Sequence, residues 1–97
     1  MFARVTTAQG TPEKLDAGAD LLREQALAAR GQVKGFKGLY LLVDRATGMH
    51  RTVSLWETRD DAEAVAAIAA QRHDTIVEAF GITGTPTTEI YEVAVQA

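Results

Sequence analysis

The segment that most constrains the fold is residues 35–57, GFKGLYLLVDRATGMHRTVSLWE, in which two alternating, apolar-rich runs flank a short turn sequence. A period of two is the pattern of a β-strand with two distinguishable faces. Leu39, Leu41 and Val43 alternate with Gly38, Tyr40 and Leu42; beyond the turn, Val53 and Leu55 alternate with Thr52, Ser54 and Trp56. The connection Ala46-Thr47-Gly48 suits a three-residue hairpin loop, closed by Gly48 in a left-handed conformation that costs glycine no Cβ strain. Such a loop sets Arg45 opposite Met49, Leu41 opposite Val53 and Leu39 opposite Leu55, and so predicts one aliphatic face. The other face collects Tyr40, Leu42, His50, Thr52, Ser54 and Trp56. Helices are expected over the aliphatic face, and a pocket or a second sheet against the mixed one.

The flanks supply the rest of a layered domain. Residues 2–8 alternate, with Ala3 and Val5 on one side and Phe2, Arg4 and Thr6 on the other, as a strand of the same sheet requires. Gly10-Thr11-Pro12-Glu13 is a helix start: Thr11 can cap the free amides, Pro12 has no amide to leave unpaired, and Glu13 faces the positive helix end. Leu15, Ala19, Leu22, Ala26 and Ala29 form an apolar stripe that predicts a helix to about residue 30, with Gly31 as its left-handed C-cap. Thr58 caps a second helix, with Asp61 in a short capping box. Its stripe of Ala62, Val65, Ala69, Ile76 and Phe80 runs to the stop at Gly81, with a possible break near Gln71. Pro86 suits the beginning of an edge strand, and residues 89–95 are expected to close the sheet. The order strand, helix, strand, strand, helix, strand is the βαββαβ arrangement of an α+β, ferredoxin-like fold with an antiparallel sheet.

At 97 residues the chain is expected to form a single domain, 1–97, with one modest core. A net charge of −3 with no run of Lys or Arg argues against nucleic acid or an anionic membrane as partner. The beginning MFARVTTAQG lacks the apolar centre of a secretory signal, so the cytoplasm is the expected compartment. Absence of Cys removes thiolate nucleophiles, disulfides and Cys-based metal sites, and no ligand spacing joins the two His to carboxylates, so no metal is expected. Helices over one face only leave Phe2, Tyr40, Leu42 and Trp56 on the other, a larger apolar patch than monomers usually expose. Face-to-face pairing of two sheets in a homodimer would bury it.

Gly35-Phe36-Lys37-Gly38 opening one strand, and Ser54-Leu55-Trp56-Glu57-Thr58 leading from the next into a helix, resemble the antibiotic biosynthesis monooxygenase type of dimeric α+β barrel. The likeness spans nearly the whole chain. It implies a small-molecule pocket and one of several activities, among them cofactor-independent oxygenation of aromatic polyketides or quinols, haem degradation and the processing of signal molecules; the alternative is a non-catalytic dimeric ligand-binding or stress-associated protein using the same pocket. The haem-degrading relatives use a strand Asn, a helix Trp and a helix His. His73 resembles that His in placement, whereas Thr6 and Val65 stand where the Asn and Trp are expected. Haem is therefore not the expected cofactor.

The cofactor-free oxygenases need less, because an electron-rich phenol or anthrone, once deprotonated, can itself reduce oxygen. A base and an anion clamp suffice. The resemblance suggests His73 as base, Arg4 or the Trp56 nitrogen against developing negative charge, and Thr6, Tyr40 and Val65 against the ring of a small aromatic molecule. Each residue also has an ordinary use, Trp56 and Tyr40 in a dimer core, Arg4 at a sheet edge, Thr6 as a strand former. His50, just past the turn, is expected to be exposed and is given no role. The acidic cluster Glu57, Asp60 and Asp61 is explained by helix capping.

Overall fold

A computed structural model describes residues 1–97. Strand β1 (Phe2–Gln9) leads through a 3₁₀ turn (Pro12–Lys14) into helix α1 (Leu15–Ala29); β2 (Phe36–Val43) and β3 (Met49–Trp56) form the hairpin; α2 (Arg59–Gln71) and α3 (His73–Phe80) precede β4 (Thr83–Glu92). The antiparallel strands lie in the order β2-β3-β1-β4, the ferredoxin-like α+β topology that the pattern predicts. The helices cover one face. No helix is long and apolar enough to cross a membrane.

The hairpin register differs from expectation by one residue. Leu39 pairs with Ser54, Leu41 with Thr52 and Val43 with His50. The cause is a loop one residue longer than Ala46-Thr47-Gly48. Asp44 Oδ1 accepts from the amides of Ala46 and Thr47, the Asp44 amide donates to the Met49 carbonyl at 2.8 Å, and Gly48 closes the loop at φ 81°. A one-residue slip exchanges the faces of one strand relative to the other. Leu39 and Leu41 therefore share the helix-covered side with His50, Thr52, Ser54 and Trp56, while Val53 and Leu55 face outward with Tyr40 and Leu42. Trp56 and Phe2, cross-strand partners, are on the covered side and not on the open one.

Of three other expectations, two are corrected and one holds. Thr11 does not cap α1: its amide and hydroxyl donate to the carbonyls of Phe80 and Gly81, so it closes the end of α3. The second helix breaks at Arg72 into α2 and α3, near the position anticipated. Strand β4 begins at Thr83 instead of Glu89 and includes Pro86. It pairs only with β1, and a bulge between Thr7 and Gln9 takes up Gly84 and Pro86 where ladder bonds are missing. Thr58 does cap α2, accepting from the Asp61 amide at 3.1 Å, and Gly81 ends α3 in the left-handed region.

The packed core sits at one end of the helical layer. Leu15, Leu22 and Phe80 form it, with Leu41, Ile76 and Ile82 against its edge. Elsewhere the facing helix positions carry Ala26, Ala29, Ala66 and Ala69, whose side chains are too short to reach the sheet. A gap between layers results.

Candidate functional site

That gap is a cavity of about 810 Å³ between the sheet and all three helices. Its floor is the inner face of the sheet. Cross-strand pairing puts Arg4 beside Ser54, Thr6 beside Thr52 and Ala8 beside His50, with Phe2 and Phe36 flanking Trp56. Val65 and Ile68 of α2, and His73 and Ile76 of α3, border it from above. Its volume suits a small organic molecule, with mostly apolar walls and a few polar groups to orient the ligand.

Trp56 is 3 % exposed, and its ring meets Phe36 edge-to-face at 5.4 Å between centroids. Its Nε1–H donates to Ser54 Oγ at 2.9 Å, and Ser54 Oγ donates in turn to the Arg4 carbonyl at 3.5 Å. The indole donor is thus already engaged. Trp56 offers a ring surface to the cavity, and its nitrogen is not free to donate to a ligand.

Arg4 is half-buried on the cavity floor. Its guanidinium joins none of the ion pairs or side-chain hydrogen bonds of the chain. Burial lowers its pKa from the ordinary arginine value, yet a guanidinium remains protonated throughout the working range. A cation with free donors in a cavity of mostly apolar walls attracts an anionic or strongly accepting group.

Thr6 Oγ1 and Thr88 Oγ1 share a hydrogen bond of 3.1 Å across β1 and β4, and both residues line the cavity. His73, the first residue of α3, is exposed at its border, where the helix break at Arg72 turns the chain. Arg4, Thr6, Trp56, Val65 and His73 are therefore brought to one cavity. Tyr40 is not. It is 60 % exposed on the opposite face, so its expected place against the ligand is corrected by the same strand geometry that sends Leu42 outward.

The sequence reading missed His50. It is 4 % exposed, not solvent-facing, and stacks on Phe80 with centroids 4.2 Å apart and planes 21° from parallel. The signal was present in the alternation, since His50 lies six residues before Trp56 and so on its side of the strand. Burial holds its imidazole below the ordinary value of 6.5, opposed by the contact of Nδ1 with the Gly48 carbonyl. No cluster of three or more His, Cys, Asp or Glu is placed to hold a metal ion.

With this geometry, the chain has the fold of the antibiotic biosynthesis monooxygenase structures. A candidate antibiotic biosynthesis monooxygenase of Deinococcus radiodurans superposes with a TM-score of 0.72 at 17 % identity, over 100 % of this chain and 96 % of that one. A Streptomyces coelicolor monooxygenase, solved in complex with Nanaomycin D, gives 0.75 at 15 % identity over 99 % and 91 %. The haem degrader MhuD of Mycobacterium tuberculosis, with two haems bound in its active site, gives 0.72 at 20 % over 100 % and 99 %. No family model matches the sequence. In sequence, the chain is 35 % identical over 94 residues to the uncharacterized protein Rv2557 of Mycobacterium tuberculosis strain H37Rv, covering 97 % of this chain. It spans 41 % of the length of that relative.

Proposed function

We propose that the chain is a cofactor-independent monooxygenase of the antibiotic biosynthesis type, acting on an aromatic polyketide or quinol-like molecule held in the cavity. One observation carries the reading: the unpaired, half-buried Arg4 guanidinium on the floor of a cavity that Trp56 also lines. In the proposed reaction His73 takes a proton from an acidic ring position, and Arg4 stabilises the anion that remains. A bond then forms between the ring carbon and one atom of dioxygen. The O–O bond breaks, the second oxygen leaves as water with both hydrogens of the reacting methylene, and a carbonyl stays on the ring. The substrate supplies all the electrons. Thr6 and Val65 act as walls.

Haem does not fit as well. Thr6 and Val65 occupy the two places where the resemblance calls for Asn and Trp, and no step is assigned to it. The outer face, with Tyr40, Leu42, Val53, Leu55 and Tyr91 uncovered, supports assembly as a homodimer through the sheets.

The test is oxygen uptake and quinone absorbance with dithranol, a dihydroxyanthrone, above its rate in buffer. Arg4→Gln should lower the protein-dependent rate by about a hundredfold, the usual cost of one anion-stabilising donor, and His73→Ala should lower it about as much. No acceleration over buffer would sink the enzyme reading; saturable binding without turnover would favour a non-catalytic ligand-binding protein. Sedimentation at micromolar concentration tests the dimer, which Leu42→Asp should dissociate.

A further inference from the structure

His50 is a buried imidazole in the lining of the cavity. Its Nδ1 lies 3.3 Å from the Gly48 carbonyl, and a carbonyl only accepts, so the proton of the neutral ring sits on Nδ1. The other nitrogen, Nε2, is then an acceptor with a free lone pair. No side chain or backbone group of the chain donates to it, while no fully buried side-chain nitrogen or oxygen is left without a partner. Nε2 therefore opens onto the cavity that His50 lines. Stacking on Phe80 fixes the ring plane, and Gly10 packs against the Nδ1 and Cε1 edge, where a Cβ would come within 3.0 Å. The free nitrogen is held on the other side. Desolvation keeps the ring uncharged near neutral pH, which preserves its acceptor.

Arg4 and His50 share this floor at a set separation. Arg4 pairs with Ser54, four residues from His50 on β3, or roughly 13 Å along the strand. Between them lie Thr6 and Thr52, under the apolar helix faces. The geometry points to His50 as a second ligand-binding residue: the cavity takes an elongated fused-ring acid whose anionic end meets Arg4 and whose far end donates a hydroxyl hydrogen to His50 Nε2. This rests on the cavity being the aromatic-ligand site, and it narrows the class of ligand to one with an acceptor anion and a donor at opposite ends. Compact phenols lack the reach.

Quenching of Trp56, the chain's only tryptophan, reports occupancy directly. The probes are 2-naphthoate, 6-hydroxy-2-naphthoate and 6-methoxy-2-naphthoate, titrated into the full chain. The hydroxy acid should bind about fivefold more tightly than 2-naphthoate, the worth of one hydrogen bond, and the methoxy acid, which cannot donate, should show no such gain. His50→Phe keeps the stack on Phe80 and should abolish the hydroxyl advantage while leaving 2-naphthoate affinity within about twofold, since removing Nε2 touches only the far end. Arg4→Gln should weaken all three alike. Equal affinities for the three probes, or a hydroxyl advantage that survives His50→Phe, overturn the inference and leave the cavity assignment standing. Failure of every probe to quench Trp56 overturns both.

Discussion

Gly18 lies on the buried side of α1, directly over the ring of Phe80. A Cβ added there would meet the Cε1, Cδ1 and Cζ atoms of that ring at distances real Cβ atoms do not show. Gly18→Ala therefore sets two effects of opposite sign against each other. Replacing a mid-helix Gly by Ala stabilises a helix by about 1 kcal/mol. Forcing a methyl into a filled core costs about 1–3 kcal/mol. Phe80 has little room to yield, because it is 0 % exposed and is held by Leu15 and Leu22 on one side and the His50 ring on the other. The clash should therefore cost about 2–3 kcal/mol, the upper part of that range, and win by about 1–2 kcal/mol, a fall in Tm of roughly 5–15 °C in a domain this small. Urea denaturation followed by far-ultraviolet circular dichroism measures the loss. The source of the loss is isolated by repeating Gly18→Ala in a Phe80→Leu background. There the helix term should dominate, and the substitution should become neutral or stabilising, a coupling of at least about 1 kcal/mol. A Gly18→Ala chain as stable as the parent would refute the packing account, as would equal losses in both backgrounds.

Two further outcomes follow from single contacts. Thr58→Ala removes the oxygen that accepts from the Asp61 amide, and should cost about 1 kcal/mol in denaturant melts, whereas Thr58→Ser should restore most of it. His50 makes stability depend on pH with a definite sign: because burial depresses its folded value below 6.5, the unfolded chain takes up a proton that the folded chain resists. There is no penalty above 6.5, the penalty grows as pH falls through 6.5, and it levels off below the folded value. The difference in stability between the parent and His50→Phe, measured over this window before most carboxylates titrate, should shift toward the variant on acidification; a constant difference would remove the buried-histidine account.

The layered fold was legible because each of its signals is local. Pro12, Thr58, Gly31 and Gly81 mark helix ends through backbone requirements that do not depend on distant residues. Alternation in residues 2–8, and on either side of the hairpin turn, marks strands in the same way. The Thr11 assignment failed for the complementary reason. A threonine hydroxyl can cap the helix it precedes or reach another element, and here the end of α3 is brought within 3.0 Å by tertiary packing. For β4, the expectation that proline starts a strand missed the bulge that lets Pro86 lie within one.

The site was harder to read because its composition turns on a single residue of loop length. Hydrophobicity favours setting Leu39 and Leu41 against Leu55 and Val53, which would make one sheet face wholly aliphatic and pack it tightly under the helices. The Asp44 carboxylate instead stabilises a longer turn through the Ala46 and Thr47 amides, and the register follows the turn. Half of the hairpin's aliphatic surface is thereby moved outward, where it lies uncovered beside Tyr40 and Leu42. In exchange, His50, Thr52, Ser54 and Trp56 come under helices whose alanines cannot fill the space above them. A close-packed interior needs larger side chains than these on at least one layer. The same slip therefore opens the cavity, equips its floor with polar groups, and leaves an apolar outer face uncovered by helices. Asp44, exposed and far from Arg4 in sequence, holds that arrangement in register as a positioning residue.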